Sequence, residues 1–464
     1  MPAFNRPHLI AASTRFRRSP PTVRGHGLLG VMGELTSDPL GLYTRAWKEH
    51  GDFVRLRVLP GVHFYLLAHP EHVEHVLATN HKNYRKPDSF NNSARLLAGT
   101  GLLTDEGPSW LRRRKLVQPA FARARLAALD VPVARATEAM LGRWERAGDG
   151  QVLDILPEMM RLSLAIAGLA LFSADVSDEA DELGRAYREA FAYISHRMNH
   201  PFAPPAWLPT PRNRRFAHSK ARLDRVVLGL IAGRRGGRES RDDLLAMLMA
   251  ARDEGSHDGL SDRQLLDEAL TLLTAGHETV GAALAWTWHL LAQHLEVQRE
   301  LHAEVAAVLG GRTPTTADLP RLPLCRAVFE EAMRLYPPAW GLPREAIGED
   351  EVGGYRIPAR SVFILAQFLI HRHPEFWEEP DAFRPARFLG EPPAGRPRFA
   401  YFPFGGGPRV CIGAQFATIE ATLALATIAR SYRMDAVPDA PVVPDPTFTL
   451  RPRPGVRVIL RRRA

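Results

Sequence analysis

Apolar residues recur at helical spacing over most of this chain, and short alternating stretches interrupt them in a few places. Helical patterns run over Leu153–Phe172, Leu183–Met198, Asn213–Arg234, Ser261–Gln293 and Leu324–Tyr336. Strand-like runs occupy Phe53–Val58 and Val62–Ala68, separated by Leu59-Pro60-Gly61. A second pair is expected at Tyr355–Ile357 and Ser361–Leu365 around Pro358-Ala359-Arg360, and a third within Phe448–Leu460. The pattern predicts a mainly α protein with small peripheral β-sheets.

The stretch Ser261–Gln293 carries the most information among the helices. Ser261 and Gln264 have the spacing of a capping box. Beyond them Leu265, Leu266, Ala269, Leu270, Leu272, Leu273, Val280, Ala283, Leu284, Trp286 and Leu291 cover most of the circumference, which predicts a helix through the interior. Its middle reads Ala275-Gly276-His277-Glu278-Thr279, which apolar packing does not explain. Thr279 is spaced to donate its hydroxyl to the Ala275 carbonyl. Gly276 weakens the helix by roughly 1 kcal/mol relative to alanine. Together they predict a local bulge, and an ionisable Glu278 in so apolar a helix requires a partner or a role. His277 reads as a satisfied polar neighbour.

Composition narrows the class. The chain has 464 residues, 45% of them hydrophobic and 24% charged, as in ordinary globular proteins. No linker, repeat or low-complexity stretch divides it, so residues 24–464 are expected to form a single domain. Residues 1–23, with Arg6, Arg15, Arg17 and Arg18, are expected to be a flexible basic tail. That segment lacks the apolar run of an export signal, and no stretch of about 20 apolar residues suggests a transmembrane anchor. Two cysteines cannot make a disulfide framework, and a cytoplasmic location follows as the expectation. The net charge of +9 comes with no nucleic-acid motif, so no nucleic-acid partner is expected. His69, His72 and His75 at three-residue spacing read as an exposed polar helix face and not as metal ligands.

The chemistry concentrates in Phe404-Gly405-Gly406-Gly407-Pro408-Arg409-Val410-Cys411-Ile412-Gly413. Glycines allow tight turns and close approach to a flat ligand. A cysteine just before a helix start sits where free N–H groups stabilise a thiolate. Arg409 is placed for a charge-assisted contact with an anion. Cys325 has no such setting and reads as packing.

This loop, F-x-x-G-x-R-x-C-x-G through Phe404, Arg409, Cys411 and Gly413, closely resembles the haem-binding signature of the cytochrome P-450 family. The resemblance extends from about Gly27 to the end of the chain and implies the cytochrome P-450 fold, with haem b as cofactor and Cys411 as iron ligand. Ala275 to Thr279 resembles the family's oxygen-activation motif, which implies that Glu278 and Thr279 supply protons. Glu331, Arg334 and Arg387 resemble the family's buried ion triad, a structural role. Trp110 and Arg114 share a helical face and resemble the propionate-binding helix, with Arg344 and Arg409 as further candidates. Arg112, Arg113 and Lys115 are expected to give a solvated basic face. The resemblance implies a monooxygenase that inserts one oxygen atom from O2 into a C–H bond of a hydrophobic small molecule, a terpenoid or fatty acid. Electrons would come from a separate ferredoxin or flavodoxin with its NAD(P)H reductase. Ala275, Ala339, Trp340, Leu342 and Phe448 are expected pocket walls, together with residues from Phe90 to Leu103 and from Phe191 to Phe202. A peroxide-driven peroxygenase and a non-catalytic haem-binding sensor or carrier are the alternatives. Turnover with peroxide alone identifies the first, and absence of product with a surrogate redox system the second.

Overall fold

The computed structural model describes residues 19–176, 180–200, 202–237, 243–251, 259–391 and 395–463. Helices dominate, as the periodicity predicts. The five expected helices form as Ile155–Phe172, Ala180–Asn199, Pro211–Gly236, Asp262–Gln293 and Pro323–Leu335. The first begins two residues later than expected, because Val152–Asp154 is a strand and Asp154 caps the helix by accepting the Leu156 N–H. Part of the segment expected as a basic tail is also ordered. Thr22–Val23 forms a parallel strand against Arg55 and Leu56, while residues 1–18 lie outside the described residues.

The main sheet runs in the order Thr22–Val23, Phe53–Leu59, Val62–Leu67, Val362–Leu365, Leu342–Ala346, Tyr84–Arg85. The Phe53 and Val62 strands pair antiparallel as expected. The other two expected pairs are partnered differently. Tyr355–Ile357 pairs with Asp350–Val352 across Gly353-Gly354, both at positive φ as a tight hairpin turn requires. Val362–Leu365, apolar throughout, sits inside the main sheet between Val62–Leu67 and Leu342–Ala346. Leu450–Arg453 pairs with Val443–Pro446. Arg457–Arg462 joins Tyr432–Ala436 and Val152–Asp154 in a separate sheet, the Pro454-Gly455 break redirecting the chain between them.

Two apolar cores result, one built on the helices and one on the main sheet. The central helix, Asp262–Gln293, passes through the larger core and packs most extensively on Ile155–Phe172. Its capping box is present, with Gln264 N–H on Ser261 Oγ at 3.3 Å and Ser261 N–H on Gln264 Oε1 at 2.9 Å. Ile155–Phe172 has the length and apolarity of a membrane span, which the sequence reading overlooked, but it is mostly buried among other helices.

The C-terminal helix, Ala414–Ser431, crosses the same core and carries a fully buried Glu420. Neither carboxylate oxygen has a hydrogen-bond partner among the described residues. Burial pushes this carboxyl well above its usual range, and the nearby Ser163 hydroxyl offsets only part of that. The folded chain therefore keeps a proton that the unfolded chain releases above about pH 4.3. Stability must fall as pH rises from there towards the folded pKa, by at most about 1.4 kcal/mol per pH unit. Glu420→Gln should raise the melting temperature at pH 8 and leave it nearly unchanged near pH 4. A pH-independent difference between the two proteins in calorimetry would contradict this.

Candidate active site

The cysteine loop is shaped by its neighbours. Gly405 and Gly407 both adopt positive φ, and a Cβ on Gly407 would lie 1.7 Å from the Leu77 carbonyl oxygen. No other residue fits there. The Cys411 N–H donates to the Phe404 carbonyl at 2.9 Å, and the Val410 carbonyl accepts from Arg114 Nη1 at 2.7 Å. Cys411 thus stands immediately before the C-terminal helix, as predicted, and is accessible. Burial by the surrounding protein raises its thiol pKa, opposed by the Gly413 N–H and the Arg114 charge. Cys325, by contrast, is fully buried among apolar residues.

Beneath the loop lies the ion cluster. Arg334 donates to Glu331 from Nε at 2.7 Å and from Nη2 at 2.8 Å, with both side chains fully buried. Arg387 Nε reaches Glu331 Oε1 at 3.3 Å, so the expected triad is assembled. Arg334 Nη1 also donates to the His371 carbonyl at 2.9 Å. The His371 ring in turn accepts the Phe402 N–H at 3.0 Å. Burial beside Arg334 pushes His371 down to about 3, which keeps its ring neutral and able to accept. The triad therefore reaches the cysteine loop through His371, a link the sequence reading missed.

A second group of cations gathers nearby. The Arg409 guanidinium lies 3.9 Å above the Trp110 ring, donates to the Asp105 carbonyl at 2.8 Å and pairs with Glu106. Arg114 lies 6.0 Å from the same ring. Arg344 is buried, and among the described residues its guanidinium bonds only the Pro343 carbonyl, at 2.8 Å. Burial and the neighbouring Arg409 bring it down to about 10. Lys86, which the sequence reading passed over, is brought down to about 7 by burial and by Arg409 and Arg344. Asp105 is already committed to Ser109 and Arg113, leaving Glu106 to face these cations. Such an under-neutralised buried group calls for an anion, and haem propionates fit it. Arg113 does not belong to the basic face. It is buried and pairs with Asp105 at 2.8 Å and Glu268 at 3.5 Å, while Arg112 and Lys115 are exposed.

The central helix supplies the other side. Ala275, Gly276 and Thr279 are accessible in an otherwise buried stretch. Thr279 Oγ1 donates to the Ala275 carbonyl at 2.7 Å, as the spacing predicts. The expected bulge does not form, because the helix stays regular throughout and the carbonyl accepts the hydroxyl without losing its ladder. Gly276 leaves space, since an added Cβ would meet only Ala167 at 3.7 Å. Glu278 is buried and has partners, Thr449 Oγ1 at 2.5 Å and Arg451. His277 is not satisfied: neither ring nitrogen has a hydrogen-bond partner among the described residues. It packs on Tyr187 with ring centroids 5.0 Å apart, and burial pushes it down to about 4.

The walls are aromatic. Phe448 stacks on Phe191 at 5.3 Å and on Phe90 at 6.2 Å. Trp340 donates to the Thr447 carbonyl at 3.1 Å, and Ala339, Trp340 and Leu342 are half-buried. Phe202 does not line this space, being 85% exposed on the outer surface. The three histidines are also elsewhere. His75 bonds Asp350 at 2.9 Å and His72 packs against Phe53, so they are half-buried and not an exposed face. Among the described residues no cluster of three or more His, Cys, Asp or Glu is arranged to hold a metal ion.

Known proteins resemble this chain over most of its length. Residues 20–459 match the family model for cytochrome P-450. Cyclooctatin synthase of Streptomyces melanosporofaciens is 37% identical over 440 residues, covering 93% of this chain and 92% of that protein. Cyclooctat-9-en-7-ol 5-monooxygenase of the same organism is 38% identical, covering 89% and 88%. Pentalenene oxygenase of Streptomyces avermitilis is 36% identical, covering 85% and 87%. A crystal structure of the cytochrome P-450DA haem domain superposes with a TM-score of 0.88 at 27% identity, covering 97% of this chain and 99% of that one.

Proposed function

This chain belongs to the cytochrome P-450 family, and from that premise we propose that it hydroxylates a C–H bond of a cyclic terpenoid. It is a monooxygenase and its cofactor is haem b. Haem, when bound, supplies the one-electron and O2 chemistry. The protein's own groups do the rest. Cys411 ligates the iron through its sulfur, set by the Phe404 carbonyl and the Gly413 N–H. Arg344, Arg409, Arg114 and Lys86 bind the propionates, and Trp110 holds Arg409 in place. Thr279 holds a hydroxyl on the accessible face of the central helix, and Glu278 supplies the proton.

The single observation that carries the substrate class is the stack of Phe90, Phe448 and Phe191. Broad ring faces suit a bulky alicyclic body. Two relatives named for cyclooctat-9-en-7-ol and pentalenene support the same class. Electrons come from a separate acidic ferredoxin or flavodoxin and its NAD(P)H reductase, steered by the exposed Arg112 and Lys115 in the cytoplasm. Titrating the haem-loaded protein with cyclic terpenes and with C12 to C16 fatty acids, and following the Soret shift, tests this. Cyclic terpenes should bind at least about tenfold more tightly, a difference of about 1.4 kcal/mol. Tighter binding of the fatty acids would replace the terpenoid reading.

A further inference from the structure

We propose that Thr449 and Arg451 are positioning residues that aim Glu278 for proton transfer and couple its position to occupancy of the substrate pocket. The inference rests on Glu278 acting as proton donor, as set out above.

Glu278 is 2% exposed. Both of its side-chain hydrogen bonds fall on one oxygen: Thr449 Oγ1 donates to Oε1 at 2.5 Å and Arg451 Nε donates to the same atom. Among the described residues no side chain donates to Oε2. Fixing one oxygen with two donors sets the carboxylate plane and leaves the other oxygen to exchange protons with water or a neighbouring hydroxyl.

Both donors stand on one short hairpin, in which Val443–Pro446 pairs with Leu450–Arg453. Thr449 and Arg451 flank the start of the second strand and converge on the same oxygen of Glu278, and Phe448 immediately precedes Thr449. Phe448 is the ring stacked between Phe191 and Phe90. The Arg451 guanidinium lies 5.5 Å from the Phe191 ring, so it touches both the aromatic wall and the acid. The hairpin is pinned behind this point. Trp286 Nε1 donates to the Leu450 carbonyl at 3.0 Å, and the Leu450 N–H donates to the Pro338 carbonyl at 2.9 Å. With its base held, pressure on Phe448 or Phe191 is transmitted to residues 449 and 451. A substrate filling the aromatic wall thus completes the alignment of Glu278, and an empty pocket leaves it less tightly aimed.

The experiment compares Thr449→Val, Arg451→Leu, Arg451→Lys and Thr279→Ala in the haem-loaded protein with a surrogate ferredoxin system. Four quantities are measured: the share of reducing equivalents released as peroxide, kcat, KM, and the substrate dissociation constant from the Soret shift. A fifth, hydrogen exchange over residues 447–453 with and without substrate, is independent of turnover. Thr279→Ala tests the relay itself, and if it stays fully coupled the proton-delivery reading fails before the hairpin is at issue. If it releases peroxide, Thr449→Val and Arg451→Leu should lower kcat roughly ten- to a hundredfold and raise peroxide, while substrate affinity changes less than kcat. Arg451→Lys should recover part of the coupling, and substrate should slow exchange in the wild-type hairpin. Wild-type coupling in Arg451→Leu and Thr449→Val overturns the proposal, as does a loss of substrate affinity with kcat intact. If Arg451→Leu does not fold, Thr449→Val, which removes one hydroxyl at constant shape, decides alone.

Discussion

Replacing Cys411 by serine should abolish the red-shifted Soret band of the ferrous–carbon monoxide complex and loosen the pigment, while far-ultraviolet circular dichroism stays unchanged. The expectation follows from where the sulfur stands. Its loop is held by backbone contacts that a serine preserves: the residue 411 N–H on the Phe404 carbonyl and Arg114 on the Val410 carbonyl. The substitution therefore removes a ligand and little else. Burial raises the free thiol's pKa, so a thiolate here depends on the metal, which deprotonates a coordinating thiol outright. A hydroxyl lacks both the acidity and the softness to substitute. An unchanged carbon monoxide spectrum in the serine variant would remove Cys411 from the iron.

Arg334→Ala should be the most destabilising single substitution away from the loop, costing about 3–5 kcal/mol. The guanidinium is fully buried and makes five hydrogen bonds: two to Glu331, and one each to the carbonyls of His371, Pro380 and Ala382. Alanine leaves Glu331 charged in the interior with, among the described residues, only Arg387 and the Arg384 N–H as partners. A loss of that size is a large fraction of the roughly 5–15 kcal/mol by which a domain is stable. Lysine should rescue little, since a single ammonium cannot reproduce the planar fork. Arg384→Ala, which breaks an exposed pair with Glu379, is the control and should change stability by less than about 1 kcal/mol. Urea unfolding with haem content measured on the same samples reads both. Equal midpoints for Arg334→Ala and Arg384→Ala would show that the buried pair does not hold the loop.

How much of this was legible in the sequence varied with the range of the interaction. The central helix, its cap and the Thr279 bond are local, and the residues that make them lie within four positions of one another. The loop around Cys411 was legible for the same reason. Strand existence was readable from alternation, but partners were not, because Val362–Leu365 pairs with a strand about 300 positions earlier. Gly353-Gly354 does carry a local turn signal for the Tyr355 hairpin. Arg113 misled because buried and solvated arginines look alike until Asp105 and Glu268 arrive from other segments. Lys86, His371 and the Thr449–Arg451 pair have no local signature, since each acts through a residue distant in the chain.

The bond from Arg114 to the Val410 carbonyl joins residues 296 positions apart. A ribosome must release the chain as far as Val410 before the two walls of the pigment's cradle can meet. Until then the apolar Ile155–Phe172 helix lacks the Ala414–Ser431 helix that crosses the same core. Nascent chains of this protein should consequently lean on chaperones late in translation, and truncations short of the last helix should yield colourless, aggregating material, however intact their N-terminal sheet.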